Sequence, residues 1–179
     1  MTRYIAFLRA INVGGHVVKM DDLRALFESM KFANVETYIA SGNVIFQTDR
    51  KDCEALRGRI ESSLRNSLGY EVTTFLRTAA EVVAIAGYQP FPQAAVASAA
   101  AYCVGFLAAP LGEEAARRAL ALKAEVDDFH LHGCELYWLT RLKQSESKFS
   151  NAVFEKATGT RITFRNRNTI QKLAAKYPV

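Results

Sequence analysis

A chain of 179 residues that is 50% hydrophobic and 23% charged carries enough apolar surface for one sizeable core or two small ones, which excludes disorder. The formal charge of +5 is unevenly spread. From Arg141 onward there are nine basic residues against Glu146 and Glu155, a balance of +7 that leaves the rest at −2, so any basic surface belongs to the C-terminal quarter.

Arg3 and Arg9 bracket an apolar run too short for a signal peptide, and no small-residue cleavage site follows. The three cysteines, Cys53, Cys103 and Cys134, are an odd number without a Cys-x-x-Cys pair. Free thiols and a cytoplasmic location are therefore expected. Cys53 and Cys103 fall on apolar faces and read as core residues. Ala94–Leu111 is uncharged and long enough to test as a membrane span. It is mostly alanine, is broken by Ser98 and Gly105 and flanked by Pro92 and Pro110, so it reads as a linker feeding a buried strand, with no membrane partner.

In chain order, Arg3–Arg9 is apolar at both parities, the mark of a central strand covered on both faces. A polar loop at Ala10–Val18 leads to a helix over Met20–Met30, striped by Leu23, Leu26, Phe27 and Met30. Strands at Val35–Ala40 and Val44–Thr48 join through Ser41-Gly42-Asn43. A helix over Asp52–Leu68, closed by Gly69, carries Cys53, Leu56, Ile60 and Leu64 inward. A strand at Val72–Leu76 follows, and Thr78-Ala-Ala-Glu81 is a capping-box signature for a helix to Gly87.

Tyr88–Ser98, with Pro90 and Pro92, reads as a linker. The order then repeats: strand Ala101–Ala108, helix Gly112–Leu122, a hairpin of Val126–Leu131 and Glu135–Leu139 through Gly133, helix Lys148–Ala157 closed by Gly159, strand Ile162–Phe164 and a last helix with Ile170 and Leu173. The expected class is α+β, with two ferredoxin-like (split βαβ) units, each β-α-β-β-α-β plus a following helix. The units are placed at residues 1–88 and 101–179, with 89–100 between them. Almost no residue identity links the halves, so the duplication is one of pattern.

Leu8-Arg-Ala-Ile-Asn-Val-Gly-Gly15, Lys19-Met20, Thr37-Tyr-Ile-Ala-Ser-Gly-Asn-Val-Ile-Phe46 and Phe164-Arg-Asn-Arg-Asn-Thr-Ile-Gln-Lys-Leu173 closely resemble the domain of unknown function 1697 family. The resemblance spans nearly the whole chain. The family more usually has Arg-Asn-Trp-Asn-Thr in the last motif, whereas this chain has Arg167 in place of the aromatic. The resemblance implies a whole-chain fold and no settled activity, cofactor or catalytic residue.

Candidate ligand residues cluster where polar groups meet element ends. Arg9, Asn12, Gly14 and Gly15 form a glycine-bearing loop ahead of a helix, a setting that favours anions. Ser41 and Asn43 flank the hairpin turn, and Lys148, Arg165, Asn166 and Asn168 make a basic, amide-rich group. Each has a plainer reading: Asn12 bonding the turn's backbone, and Asn166 or Asn168 capping the last helix. The loop lacks a Gly-Lys-Ser/Thr motif, and Asp21 and Asp22 already face the helix dipole.

Asp128, His130, His132 and Cys134 share a parity with metal-compatible chemistry, but Gly133 is placed to turn the chain before Cys134. No metal and no cofactor is assigned. The third strand, Ser41-Gly-Asn-Val-Ile-Phe-Gln-Thr48, lacks the aromatic pattern of stacking RNA binders. No triad, metalloprotease or paired-carboxylate motif is present, so enzyme status stays open. The expectation is a cytosolic binding module for a small anionic or nucleotide-like ligand. The alternatives are weak nucleic-acid binding through the basic C-terminal region, an enzyme of unrecognised type, and a simple interaction protein.

Overall fold

Tyr4, Ile5, Ala6, Phe7 and Leu8 are apolar in unbroken succession, so the strand they form has no face for solvent. In the computed structural model, which describes residues 1–39 and 42–179, they lie in β1 (Thr2–Leu8) at the middle of a four-stranded sheet. The order is β2 (Ala33–Tyr38), β3 (Asn43–Thr48), β1, β4 (Thr74–Thr78), with antiparallel pairing throughout. Tyr4 faces Phe46 on one side, and Ile5 faces Arg77 on the other. Alternation along the strand sends Tyr4, Ala6 and Leu8 into a core with Leu23 and Phe27 of α1 (Met20–Ser29) and Leu56, Ile60 and Leu64 of α2 (Cys53–Leu68). Ile5 and Phe7 take the other face with Ile45 and Phe75, and all four are buried.

Local chemistry sets the element ends. Asp52 Oδ1 accepts from the Glu54 and Ala55 amides at 3.1 and 3.0 Å, satisfying two donors that have no intrahelical partner. Gly69 closes α2 at φ +82°. The capping box is reciprocal: Thr78 N–H donates to Glu81 Oε2 at 2.7 Å, and Glu81 N–H to Thr78 Oγ1 at 3.2 Å. It opens α3 (Ala79–Gly87) directly from the end of β4.

The chain divides into two units, Met1–Val82 with Pro178–Val179 and Val83–Tyr177. The second repeats the plan with β5 (Ala101–Phe106), α5 (Glu113–Leu120), β6 (Asp127–His132), β7 (Glu135–Thr140), α6 (Asn151–Thr158), β8 (Thr163–Asn166) and α7 (Arg167–Lys176). Its sheet order β6-β7-β5-β8 matches that of the first. The duplicated ferredoxin-like α+β architecture is thus as the periodicity indicated. Cys103, Leu107, Phe129, Leu136, Trp138, Phe154 and Ile162 form the helix-side core, while Val104, Phe106 and Tyr137 on the opposite face are also buried.

Asp127 is a buried carboxylate in this second core. It accepts from Trp138 Nε1 at 2.9 Å and from Ser147 Oγ at 2.9 Å, and Ser147 Oγ in turn accepts from Phe149 N–H at 3.0 Å. A buried carboxylate needs such donors to be tolerated.

Several boundaries differ from the sequence expectation. Cys53 is exposed rather than in the core, because it is the first residue of α2 and the inward stripe starts one turn later at Leu56. Val72 is buried but precedes β4, which runs two residues later than expected. The Tyr88–Ser98 stretch holds a short helix, α4 (Gln93–Ser98), and Ala94–Leu111 is split between that helix and β5. Among the described residues no helix is long and apolar enough to cross a membrane. Ala40 and Ser41 lie outside the described residues.

Two outcomes follow from this packing. A Cβ on Gly105 would lie 2.6 Å from Ile162 Cδ1 and Phe164 Cε1, whereas one on exposed, helical Gly58 would meet nothing within 4 Å. Gly105→Ala should therefore cost about 1–3 kcal/mol in urea unfolding, and Gly58→Ala should gain about 0.5–1 kcal/mol. Burial pushes the Cys103 thiol up to about 12, so the reactive thiolate is suppressed at neutral pH. Iodoacetamide at pH 8 should modify exposed Cys53 in the native protein, with Cys103 protected until denaturant is added, as read by peptide mass.

Candidate functional site

The loop after β1 is held by its own side chains. Asn12 Oδ1 accepts from Val18 N–H at 2.8 Å, Tyr70 donates to the Ile11 carbonyl at 2.9 Å, and His16 stacks on Tyr70 with centroids 3.8 Å apart. Gly14 and Gly15 have φ of +68° and +84° with open space around them, so backbone conformation rather than close approach calls for glycine there. Arg9 is half-buried. The neighbouring turn is tied in by Leu8 N–H donating to the Gly42 carbonyl at 2.8 Å. Buried Asn43 donates to the Tyr38 carbonyl at 2.8 Å. The structure thus brings Arg9, Asn12, Gly14, Gly15 and Asn43 into one region of the first unit, and Ser41 lies outside the described residues.

The C-terminal candidates separate by burial. Lys148 and Asn168 are exposed. Arg165 is only 7% exposed and donates from Nη1 to Thr163 Oγ1 at 3.0 Å and to the Phe164 carbonyl at 2.9 Å. Burial lowers its guanidinium to about 10, which still leaves a cation at neutral pH. Arg77 occupies the matching position on β4, equally buried, and donates to the Leu76 carbonyl at 2.7 Å. Asn166 is the cap of α7, its side chain accepting from the Asn168 amide at 2.9 Å.

On β6, the residues of metal-compatible parity have other engagements. Asp128 pairs with Lys123 at 3.3 Å. His130 Nε2 lies 3.0 Å from the Tyr88 hydroxyl, and His132 stacks on the Tyr88 ring at 4.2 Å. Gly133, at φ +58°, turns the chain, and Cys134 packs toward the helix-side core. Among the described residues no group of three or more His, Cys, Asp or Glu side chains is placed to hold a metal ion.

The arrangement best suited to a ligand lies in the second unit and was not foreseen. A cleft of about 150 Å³ is lined by Gln89, Phe91, Gln93, Val96, Tyr102 and Arg167. β5 supplies Tyr102, α7 supplies Arg167 at its first position, and the segment entering α4 (Gln89, Phe91) with Gln93 and Val96 of α4 itself supplies the other wall. The Arg167 guanidinium lies 4.8 Å from the Tyr102 ring centroid, and Phe91 meets that ring edge-on at 5.6 Å. Arg167 is half-buried, and no carboxylate of the described residues pairs with it. Burial raises the Tyr102 phenol, with the Arg167 charge pulling it back.

Tyr137 lies on the same sheet face one diagonal step away, since Tyr102 pairs with Leu139. Its phenol is pushed up by burial and then by Glu135, while Arg167 acts in the opposite sense. Its hydroxyl is buried without a hydrogen-bond partner among the described residues. Sequence order could not place Tyr102 against Arg167, which lie on different elements. The one available signal was the departure at Arg167 from the Arg-Asn-Trp-Asn-Thr pattern that the resemblance implies.

A family described as "Protein of unknown function (DUF1697)" matches residues 1–137. The solved structure of a conserved bacterial protein, SP0830 from Streptococcus pneumoniae, is similar over 100% of this chain and 99% of its own. The TM-score is 0.76 at 20% identity, a likeness of fold alone. No curated protein matches the chain.

The cap that sets Arg167 at the cleft is testable by itself. Asn166→Ala should lower stability by about 0.5–2 kcal/mol in urea unfolding, and Asn166→Asp, which keeps an acceptor, should retain most of it.

Proposed function

We propose, from the premise that the chain belongs to the DUF1697 family of proteins of unknown function, that its second unit binds a small anionic ligand in the Tyr102–Arg167 cleft. The observation that carries this reading is Arg167, a half-buried residue whose guanidinium lies over the Tyr102 ring and pairs with no carboxylate of the described residues. Taking a cation partly out of water is costly unless an anion or acceptors meet it, and a ring under the guanidinium offsets only part of that cost. The same ring holds the donor fork in place, so an arriving oxyanion finds donors that are already oriented. The exposed amides of Gln89 and Gln93 offer further donors at the mouth.

Arg9, Asn12, Gly14, Gly15 and Asn43 remain candidates for the first unit, with lower priority. The hydrogen bonds of Asn12 and Asn43 already explain those residues as parts of a turn. Lys148, Arg165, Asn166 and Asn168 enter the proposal only through Asn166, which fixes the helix that bears Arg167. A cytoplasmic setting is part of the same proposal and rests on the free thiols.

Calorimetry at constant ionic strength, with phosphate, simple carboxylates and nucleotides as probes, tests the reading. One class should bind, and Arg167→Ala should weaken it at least about tenfold, the equivalent of one lost charged hydrogen bond. Undiminished binding in Arg167→Ala, or no binding by any of the anions, would overturn it.

A further inference from the structure

We infer that the ligand of this cleft is a monoanionic carboxylate with an apolar body no larger than one aromatic ring or a branched alkyl group. This rests on the anion-binding reading above and narrows it. The cleft contains one cation, Arg167, beside two neutral amides, Gln89 and Gln93, and three largely apolar surfaces, Phe91, Val96 and the Tyr102 ring. A single planar guanidinium matches a planar carboxylate two bonds to two, and its one charge is balanced by a monoanion. A phosphate monoester brings close to two charges and would leave the second unpaired.

Size points the same way. The cleft encloses about 150 Å³, below the roughly 300–1,000 Å³ of pockets that take drug-sized ligands, so a base and a sugar together exceed it. Arg167 covers one face of Tyr102, and Phe91 approaches that ring edge-on at 71°. There is accordingly no parallel pair of rings between which a nucleobase could slide. The hydrophobic body of a small acid instead gains contact with Phe91 and Val96, while its head reaches Arg167.

Isothermal titration of the full chain with benzoate, isovalerate, acetate, benzamide, inorganic phosphate and adenosine monophosphate tests this. Benzoate and isovalerate should bind at least about tenfold more tightly than acetate, because each buried methylene contributes roughly fourfold. Benzamide, which keeps the shape and lacks the charge, should not bind measurably. Arg167→Ala should abolish benzoate binding, and Gln93→Glu, at an exposed position on the mouth, should weaken it several-fold while leaving the unfolding midpoint in place. Phosphate or adenosine monophosphate binding through Arg167 more tightly than benzoate would overturn this inference and leave the anion reading standing. Equal affinity for benzamide and benzoate would overturn it as well. Binding of every anion unaffected by Arg167→Ala would remove both.

Discussion

The structure depends on a constraint imposed by one interior strand of each sheet. β1 and β5 each lie between two neighbours in an antiparallel sheet, and each is buried along most of its length. Residues there must be apolar or fully bonded on either face, because an unmet polar group in such a place costs about 1–3 kcal/mol. Polar chemistry is consequently displaced to the ends of strands, where the chain leaves the sheet. The loop after β1, the start of β5 and the junction of β8 with α7 are three such places, and the Tyr102–Arg167 cleft joins the last two.

The same constraint explains the paired arginines Arg77 and Arg165. Each sits on the edge strand that pairs with the central one, facing Ile5 and Val104 respectively. Each turns Nη1 back to the carbonyl of the residue before it. Two units with almost no residue identity have kept this position in common, together with a polar residue one step later, Thr78 or Asn166, that opens the next helix. The likeness of fold to the Streptococcus pneumoniae protein at 20% identity is a further case of one fold carried by different side chains.

What could be read from the sequence was what depends on neighbours a few residues apart. The Thr78–Glu81 box, Gly69, the stripe of Leu56, Ile60 and Leu64, and the double-faced run Tyr4–Leu8 all state their roles locally. Asp127 does not, since its partners Trp138 and Ser147 lie 11 and 20 residues away and its neighbour Asp128 looks identical in composition while pairing with exposed Lys123. Cys53 follows the period of an apolar stripe, yet helical periodicity says nothing about where the packed layer ends. Tyr102 and Arg167 become neighbours only when β8 pairs with β5. A cation is read as surface until its ring partner is placed beside it.

The passage from β8 to α7 has no intervening loop: Asn166 ends the strand and caps the helix, and Arg167 follows at once. Such a junction has no slack. The position of Arg167 is inherited from the register of β8 on β5, in which Cys103 lies opposite Asn166. One wall of the cleft is therefore as rigid as the sheet. The facing wall is the segment with Pro90 and Pro92 together with the short helix α4 that it enters, so accommodation of differently shaped occupants falls to that side, as in a vice with one fixed jaw.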